Sequence, residues 1–174
     1  MAIKIENRLF QIETEHTSYQ MKVDKYGVLT HLWYGAKTEC SMDYLLDYPD
    51  VGFSGNIYEA ENQRTYSLNT LPQEYSTSGV GDFRIPAITV THDDGSRALD
   101  LRYSGHKISR GKYNIDGLPA VYATEEEAET LEIVMEDTAT NIEVILMYGV
   151  LPKKDIITRS TVIINNGTTP ITIN

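Results

Sequence analysis

Glu125-Glu126-Glu127-Ala128-Glu129-Thr130-Leu131-Glu132-Ile133-Val134-Met135-Glu136 is the stretch on which the fold class turns. Its acidic head would suit a helix N-terminus. The period says otherwise: Leu131, Ile133 and Met135 alternate with Glu132, Val134 and Glu136, and Ile142 to Val150 repeats that period beyond a turn at Asp137 to Asn141. The expectation is a β-hairpin with an acidic outer face. With it goes the one helix candidate in the chain.

Outward from this hairpin the same period recurs. Ile3 and Ile5, Phe10 and Ile12, and Tyr19, Met21 and Val23 each alternate with polar neighbours, and Asp24-Lys25-Tyr26-Gly27 supplies a turn before a strand from Val28 to Trp33. Thr38 to Gly52 has no clear period; Tyr44, Leu45, Leu46 and Tyr48 suit a short helical turn or a packed loop. Asp93-Asp94-Gly95 predicts a hairpin joining Ile88–Thr91 to a return strand at Ala98–Tyr103. Ile156 to Ile164 is rich in β-branched residues, and Asn166-Gly167 predicts a two-residue turn into a last strand near Ile171-Thr172-Ile173. That strand is shorter than its hairpin partner, which suggests a fragment of something larger. The expected fold is all-β: one antiparallel β-sandwich over residues 1–174, with at most one short helix.

A chain of 174 residues has the usual size of one domain. The single cysteine, Cys40, cannot form an internal disulfide and has no metal-ligand companions, which fits a reducing cytoplasm. No apolar run has the length of a signal or membrane segment. Fifteen basic residues against 25 acidic ones give a net charge of −10, and the basic residues are scattered, so a nucleic-acid partner is not expected.

Carboxylates crowd the middle of the chain: Asp43, Asp47, Asp50, Glu59, Glu61, Glu74 and Asp82. A close pair could serve as acid and nucleophile for glycoside hydrolysis. In so acidic a chain, solvated loop carboxylates are the simpler reading, and no catalytic residue is assigned. His16, His31, His92 and His106 lie apart, without metal-ligand spacing, so neither a metal nor a cofactor is expected. There is no Gly-x-Ser-x-Gly elbow, and Gly79 and Gly81 precede no lysine or helix start, which leaves them the role of permitting a tight backbone.

The segment from Arg64 to Arg84 fits neither a helical nor a strand period and is expected to be a surface loop carrying recognition groups. Asp50, Asn56, Asn62, Arg64, Gln73, Glu74, Asp82 and Arg84 offer paired donors and acceptors suited to sugar hydroxyls, and Trp33, Phe53, Tyr66, Tyr75 and Phe83 offer rings for stacking. The competing reading is that Arg64, Glu74, Asp82 and Arg84 pair with one another to hold the loop in shape.

Gly52-Phe53-Ser54, Arg64-Thr65-Tyr66-Ser67-Leu68, Leu71-Pro72-Gln73-Glu74-Tyr75 and Gly81-Asp82-Phe83-Arg84 closely resemble motifs of the N-terminal domain of bacterial glycoside hydrolase family 36 α-galactosidases. Asp100-Leu101-Arg102-Tyr103, Gly117-Leu118-Pro119-Ala120 and Ile157-Thr158-Arg159-Ser160 extend the resemblance across nearly the whole chain. It implies a β-supersandwich, galactose-mutarotase-like, ahead of a (β/α)8 barrel that carries the two catalytic aspartates of a retaining α-galactosidase; those aspartates would not lie in this chain. It also implies that Asp50 and Arg64 reach toward the active site of a neighbouring subunit and bind substrate on the aglycone side. The partners implied are an α-galactoside such as raffinose or melibiose, the chain's own barrel, and further subunits, as in a tetramer. The family's proline-rich Phe-Ser-Pro-Asn-Pro reads here Phe53-Ser54-Gly55-Asn56-Ile57, which removes two backbone restraints beside Asp50. The alternative from another class is a free-standing carbohydrate-binding or structural sandwich with no enzyme attached; a third is a complete small glycosidase built on the central carboxylates.

Overall fold

The structure, a computed structural model, describes residues 2–52 and 55–174. Ten strands run in chain order: β1 Ile3–Glu6, β2 Leu9–Glu13, β3 Thr17–Val23, β4 Leu29–Ala36, β5 Val90–Thr91, β6 Arg102–Arg110, β7 Glu129–Asp137, β8 Ile142–Leu151, β9 Ile156–Asn165 and β10 Thr172–Ile173. All pair antiparallel: β1-β2-β3-β4 form one sheet, β6-β7-β8-β9 a second, and β5 with β10 a short ribbon. Helical structure among the described residues amounts to single 3-10 turns at Asp43–Leu45, Tyr58–Ala60 and Pro152–Lys154.

Local chemistry explains the hairpins. Asn7 and Arg8 both adopt positive φ, 50° and 64°, the geometry of a two-residue type I′ turn between β1 and β2. Between β7 and β8, Asp137 Oδ1 accepts the Ala139 amide at 2.9 Å, and Asn141 turns through φ 57°. The period-two reading of residues 129–137 holds: Leu131, Ile133, Met135 and Asp137 are buried and Glu132, Val134 and Glu136 half-exposed. The acidic head makes one turn instead of a helix, closed by Thr124 N–H and Oγ1–H donating to Glu127 Oε2 at 3.0 and 3.2 Å.

The inner faces of the two four-stranded sheets share one core. Phe10, Ile12, Met21 and Val23 from the first meet Leu131, Ile133, Ile142, Val144 and Val150 from the second, with Ile88, Val90, Leu99 and Leu101 filling the gap. Each such side chain contributes about 1.5–3 kcal/mol by leaving water. The other face of β3 is polar but covered: Gln20 donates from Nε2 to Cys40 O at 2.9 Å and accepts the Met42 amide at 2.9 Å, fastening the segment after β4 over it.

Two expected hairpins do not form. The turn at Asp93-Asp94-Gly95 is present, with the Gly95 amide donating to His92 O at 3.0 Å, but the Leu99 amide bonds Ser78 O at 3.1 Å. Val90–Thr91 pairs instead with Thr172–Ile173. Burial of Leu99 and Leu101 in the common core outweighs the local turn preference. Likewise Asn166-Gly167 is not a two-residue turn, because neither residue takes the positive φ that type I′ requires. Asn165 reorganises the corner, accepting the Gly167 amide at 3.0 Å and donating to Thr169 O at 2.8 Å, and the chain crosses to β5.

Candidate ligand-binding surface

The long segment from 37 to 89 joins β4 to β5 and, among the described residues, makes one isolated bridge, Thr30 to Gln73. It has its own small core, in which Val28, Ile57, Ala60, Tyr66, Leu68 and Leu71 pack together. Tyr66 is its anchor: the ring meets Tyr26 edge-on at 4.7 Å, and the hydroxyl donates to Asp24 Oδ2 at 2.6 Å. Asp24 uses its other oxygen to accept the Tyr26 and Val28 amides, which makes the β3–β4 turn. Burial, then the Asp24 carboxylate, push the Tyr66 hydroxyl far above the usual phenol range.

Two residues before that anchor, Arg64 projects into solvent. Its Nη2 donates to Asp50 Oδ1 at 3.1 Å, and the same oxygen accepts the Gly52 amide at 2.9 Å, with Gly52 at φ 75°. The amide of Gly52 first, and Arg64 second, hold the Asp50 carboxyl below its usual range. Both side chains face solvent, Arg64 at 67% and Asp50 at 51% of their full exposure.

Of the remaining polar candidates, Asp82 and Glu74 are turned inward, and Arg84 reaches back into the loop. Asp82 is gripped by Arg84 Nε and Nη2 at 2.9 and 2.7 Å and by Gln73 Nε2 at 2.6 Å, while Arg84 also donates to Leu68 O and Leu71 O at 2.8 and 2.7 Å. A loop without a ladder must satisfy its own carbonyls, and Arg84 does so. Glu74 is more deeply committed. Its carboxylate, 2% exposed, accepts Tyr19 at 2.7 Å, Tyr148 at 2.8 Å and Arg159 at 2.5 Å and meets His31 Nδ1 at 3.1 Å. These partners come from both large sheets. Asn56 donates to Gln63 O at 2.8 Å, while Asn62 is exposed. The expected surface loop is therefore irregular, but Gln73, Glu74 and Asp82 serve the fold; the pairing foreseen among Arg64, Glu74, Asp82 and Arg84 is realised only between the last two.

Of the aromatic candidates, Tyr66 is buried, Tyr75 and Trp33 are half-buried, and Phe83 stands 81% exposed. Phe53 and Ser54, named in the resemblance, lie outside the described residues. Tyr58, 94% exposed on its 3-10 turn, and Tyr44 were not foreseen; apolar residues on short irregular turns carry no period to mark their side. A cleft of about 490 Å³ separates residues 55–59 from 79–83, with Tyr58, Phe83, Asp100 and Arg102 on its walls. The glycines there permit close approach: a Cβ on Gly81, at φ 96°, would stand 3.0 Å from Gly55 O.

Each histidine has a local partner: His16 with Asp155, His31 with Glu74, His92 with Ala98 O and His106 with Tyr103. No group of three His, Cys, Asp or Glu among the described residues is placed to hold a metal. Among the described residues no helix is long and apolar enough to cross a membrane.

Residues 27–174 match the model of the glycosyl hydrolase family 36 N-terminal domain. The chain belongs to that family. Among its relatives is the bifunctional alpha-galactosidase/sucrose kinase AgaSK of Mediterraneibacter gnavus, 52% identical over 95% of this chain and 18% of that protein. The solved galactosidase domain of AgaSK superposes with TM-score 0.96 at 51% identity, covering 99% of this chain and 24% of that one. Alpha-galactosidase AgaA of Geobacillus stearothermophilus, solved as a variant in complex with raffinose, superposes with TM-score 0.88 at 38% identity over 95% of this chain and 23% of its own. This family 36 N-terminal domain thus spans about a fifth to a quarter of the proteins it resembles. The resemblance read from its motifs and the all-β sandwich are both borne out.

Proposed function

We propose that this domain is the non-catalytic N-terminal part of a retaining α-galactosidase that hydrolyses terminal α-galactosides such as raffinose and melibiose. The observation that carries this reading is likeness over nearly the full length to alpha-galactosidases, one of them solved with raffinose. The catalytic aspartates belong to a barrel outside residues 1–174, so this unit by itself hydrolyses nothing.

Within the enzyme, Asp50 and Arg64 contact the aglycone sugars. Their mutual ion pair is exposed and worth little, so exchanging it for sugar hydroxyls costs little. A charged hydrogen bond to a hydroxyl contributes about 1.5–3 kcal/mol, an affinity factor of roughly ten to a hundred. Exposed Tyr44, Tyr58 and Phe83 supply apolar surface through which subunits assemble. The exposed free thiol of Cys40 fits a cytoplasmic location. In the full enzyme, Arg64→Ala should lower kcat/KM on raffinose about tenfold or more and leave an aryl α-galactoside within about twofold. Equal losses on both substrates would overturn the aglycone role.

A further inference from the structure

We infer that Asn56 is a positioning residue for Arg64, its side-chain amide fixing the peptide unit from which the arginine projects toward the aglycone sugars. Granted the aglycone role of Arg64, on which this rests, Asn56 is what aims it. The guanidinium needs such help. Its ion pair with Asp50 is exposed at both ends, and a pair of that kind is worth less than the rotamer freedom a long side chain gives up to form it.

Asp50 and Gly52 stand on the arm of the loop that enters the 3-10 turn Tyr58–Ala60, and Gln63 to Tyr66 on the arm that leaves it. Across this turn Asn56 Nδ2 donates to Gln63 O at 2.8 Å. That carbonyl belongs to the same planar peptide unit as the Arg64 N–H, so gripping it fixes the Cα from which the guanidinium chain departs. The Tyr66 amide donates to the same oxygen at 3.1 Å, and Gln63 Oε1 accepts the Tyr26 hydroxyl at 3.0 Å. Among the described residues, the Asn56 bond and the weak Asp50–Arg64 pair are the hydrogen bonds that join one arm to the other.

The turn is held against its own preferences. Glu61, between the arms, takes φ 47° and ψ −120°, a conformation that a residue other than glycine keeps only where the surrounding bonds impose it. Asn56 Oδ1 is buried without a hydrogen-bond partner. Reversing the amide would set that oxygen against Gln63 O, so donation to Gln63 fixes the orientation and outweighs the unpartnered acceptor. Gly55 and Ile57 stand where the family motif has prolines, which leaves to a side chain the restraint that the backbone would otherwise supply.

In the full enzyme, the ratio of kcat/KM on raffinose to kcat/KM on an aryl α-galactoside reads the aglycone contact apart from the chemistry. Asn56→Ala removes the donor together with the unpartnered Oδ1 and should lower that ratio about fivefold or more. Asn56→Asp keeps the shape, sets an oxygen against Gln63 O and should lower it at least as far. With Arg64→Ala already in place, adding Asn56→Ala should move the ratio by less than about twofold, because the group it aims is gone. Without substrate, amide exchange over residues 61–66 should quicken about tenfold or more in Asn56→Ala. Unchanged exchange would overturn the link whatever Arg64 touches. A ratio that falls with Arg64→Ala but with neither Asn56 variant would overturn the positioning role and leave the aglycone role standing. An unchanged ratio in Arg64→Ala would overturn the aglycone role itself, and the positioning role with it.

Discussion

At the scale of single residues, Glu74 is open to two readings in the sequence, ligand contact or structural pairing, and distant partners decide between them. It stands in a polar, aromatic loop beside Gln73 and Tyr75 and looks available to a ligand. Its partners, Tyr19, His31, Tyr148 and Arg159, are scattered along the chain, and no local pattern announces them. Burial pushes its carboxyl up, but the combined donors of His31, Arg159 and the two tyrosines prevail and hold it below the usual range. A depressed pKa stabilises the fold above the unfolded value near 4.5, and that contribution is lost as pH falls through the lower folded value. Glu74→Ala would leave two buried hydroxyls and Arg159 without their acceptor. It should cost on the order of 3 kcal/mol in urea denaturation; a loss below about 1 kcal/mol would show the cage to be unimportant. Asp50 and Arg64 are the contrasting case, since motif matching picked them out and they stand together in solvent.

At the scale of elements, strands and loops differ in what makes them legible. β7 and β8 bury one face and expose the other, so period two locates them and sets their register. The loop of residues 37–89 has no such constraint; it is organised by a small core under Tyr66 and by the Asp82–Arg84 clamp, both made of side chains meeting across the loop. The Tyr66 hydroxyl connects the segment bearing Arg64 to the β3–β4 turn through Asp24. Tyr66→Phe should therefore destabilise the chain by roughly 1–3 kcal/mol and speed amide exchange through residues 57–71 ahead of the sheets. If exchange there matched the wild type, the loop would be held by packing alone.

At the scale of the whole molecule, a polar tether joins the two sheets at one end. Asp155, just before β9, accepts Thr14 Oγ1 at 2.6 Å and the His16 amide at 2.8 Å, and meets His16 Nδ1 at 2.6 Å, between β2 and β3. The Thr14 hydroxyl first, then His16, bring the Asp155 carboxyl to about 2, and Asp155 in turn raises His16 above 6.5. The histidine's contribution is full below pH 6.5 and fades as pH rises through its folded value. The aspartate's is full above 3.8 and fades as pH falls toward 2. The gap in Tm between wild type and His16→Ala should thus be widest between about pH 4 and 6.5 and narrow in more alkaline buffer. A gap that stays constant up to about pH 9 would mean that the ion pair contributes nothing.

The amino-acid sequence by itself determined the all-β class, the strands β1 to β4 and β7 to β9, and the family, because period-two burial and short motifs are written in neighbouring residues; β6, Arg102–Arg110, lacks that alternation and overlaps the expected strand at 98–103 only at its end. Only the tertiary structure decided that Val90–Thr91 pairs with Thr172–Ile173 and that Glu74 and Asp82 face inward while Arg64 faces out. Those outcomes depend on which distant groups compete for one core and one set of hydrogen bonds. That competition is settled by burial across the fold, and turn propensity carries no information about it.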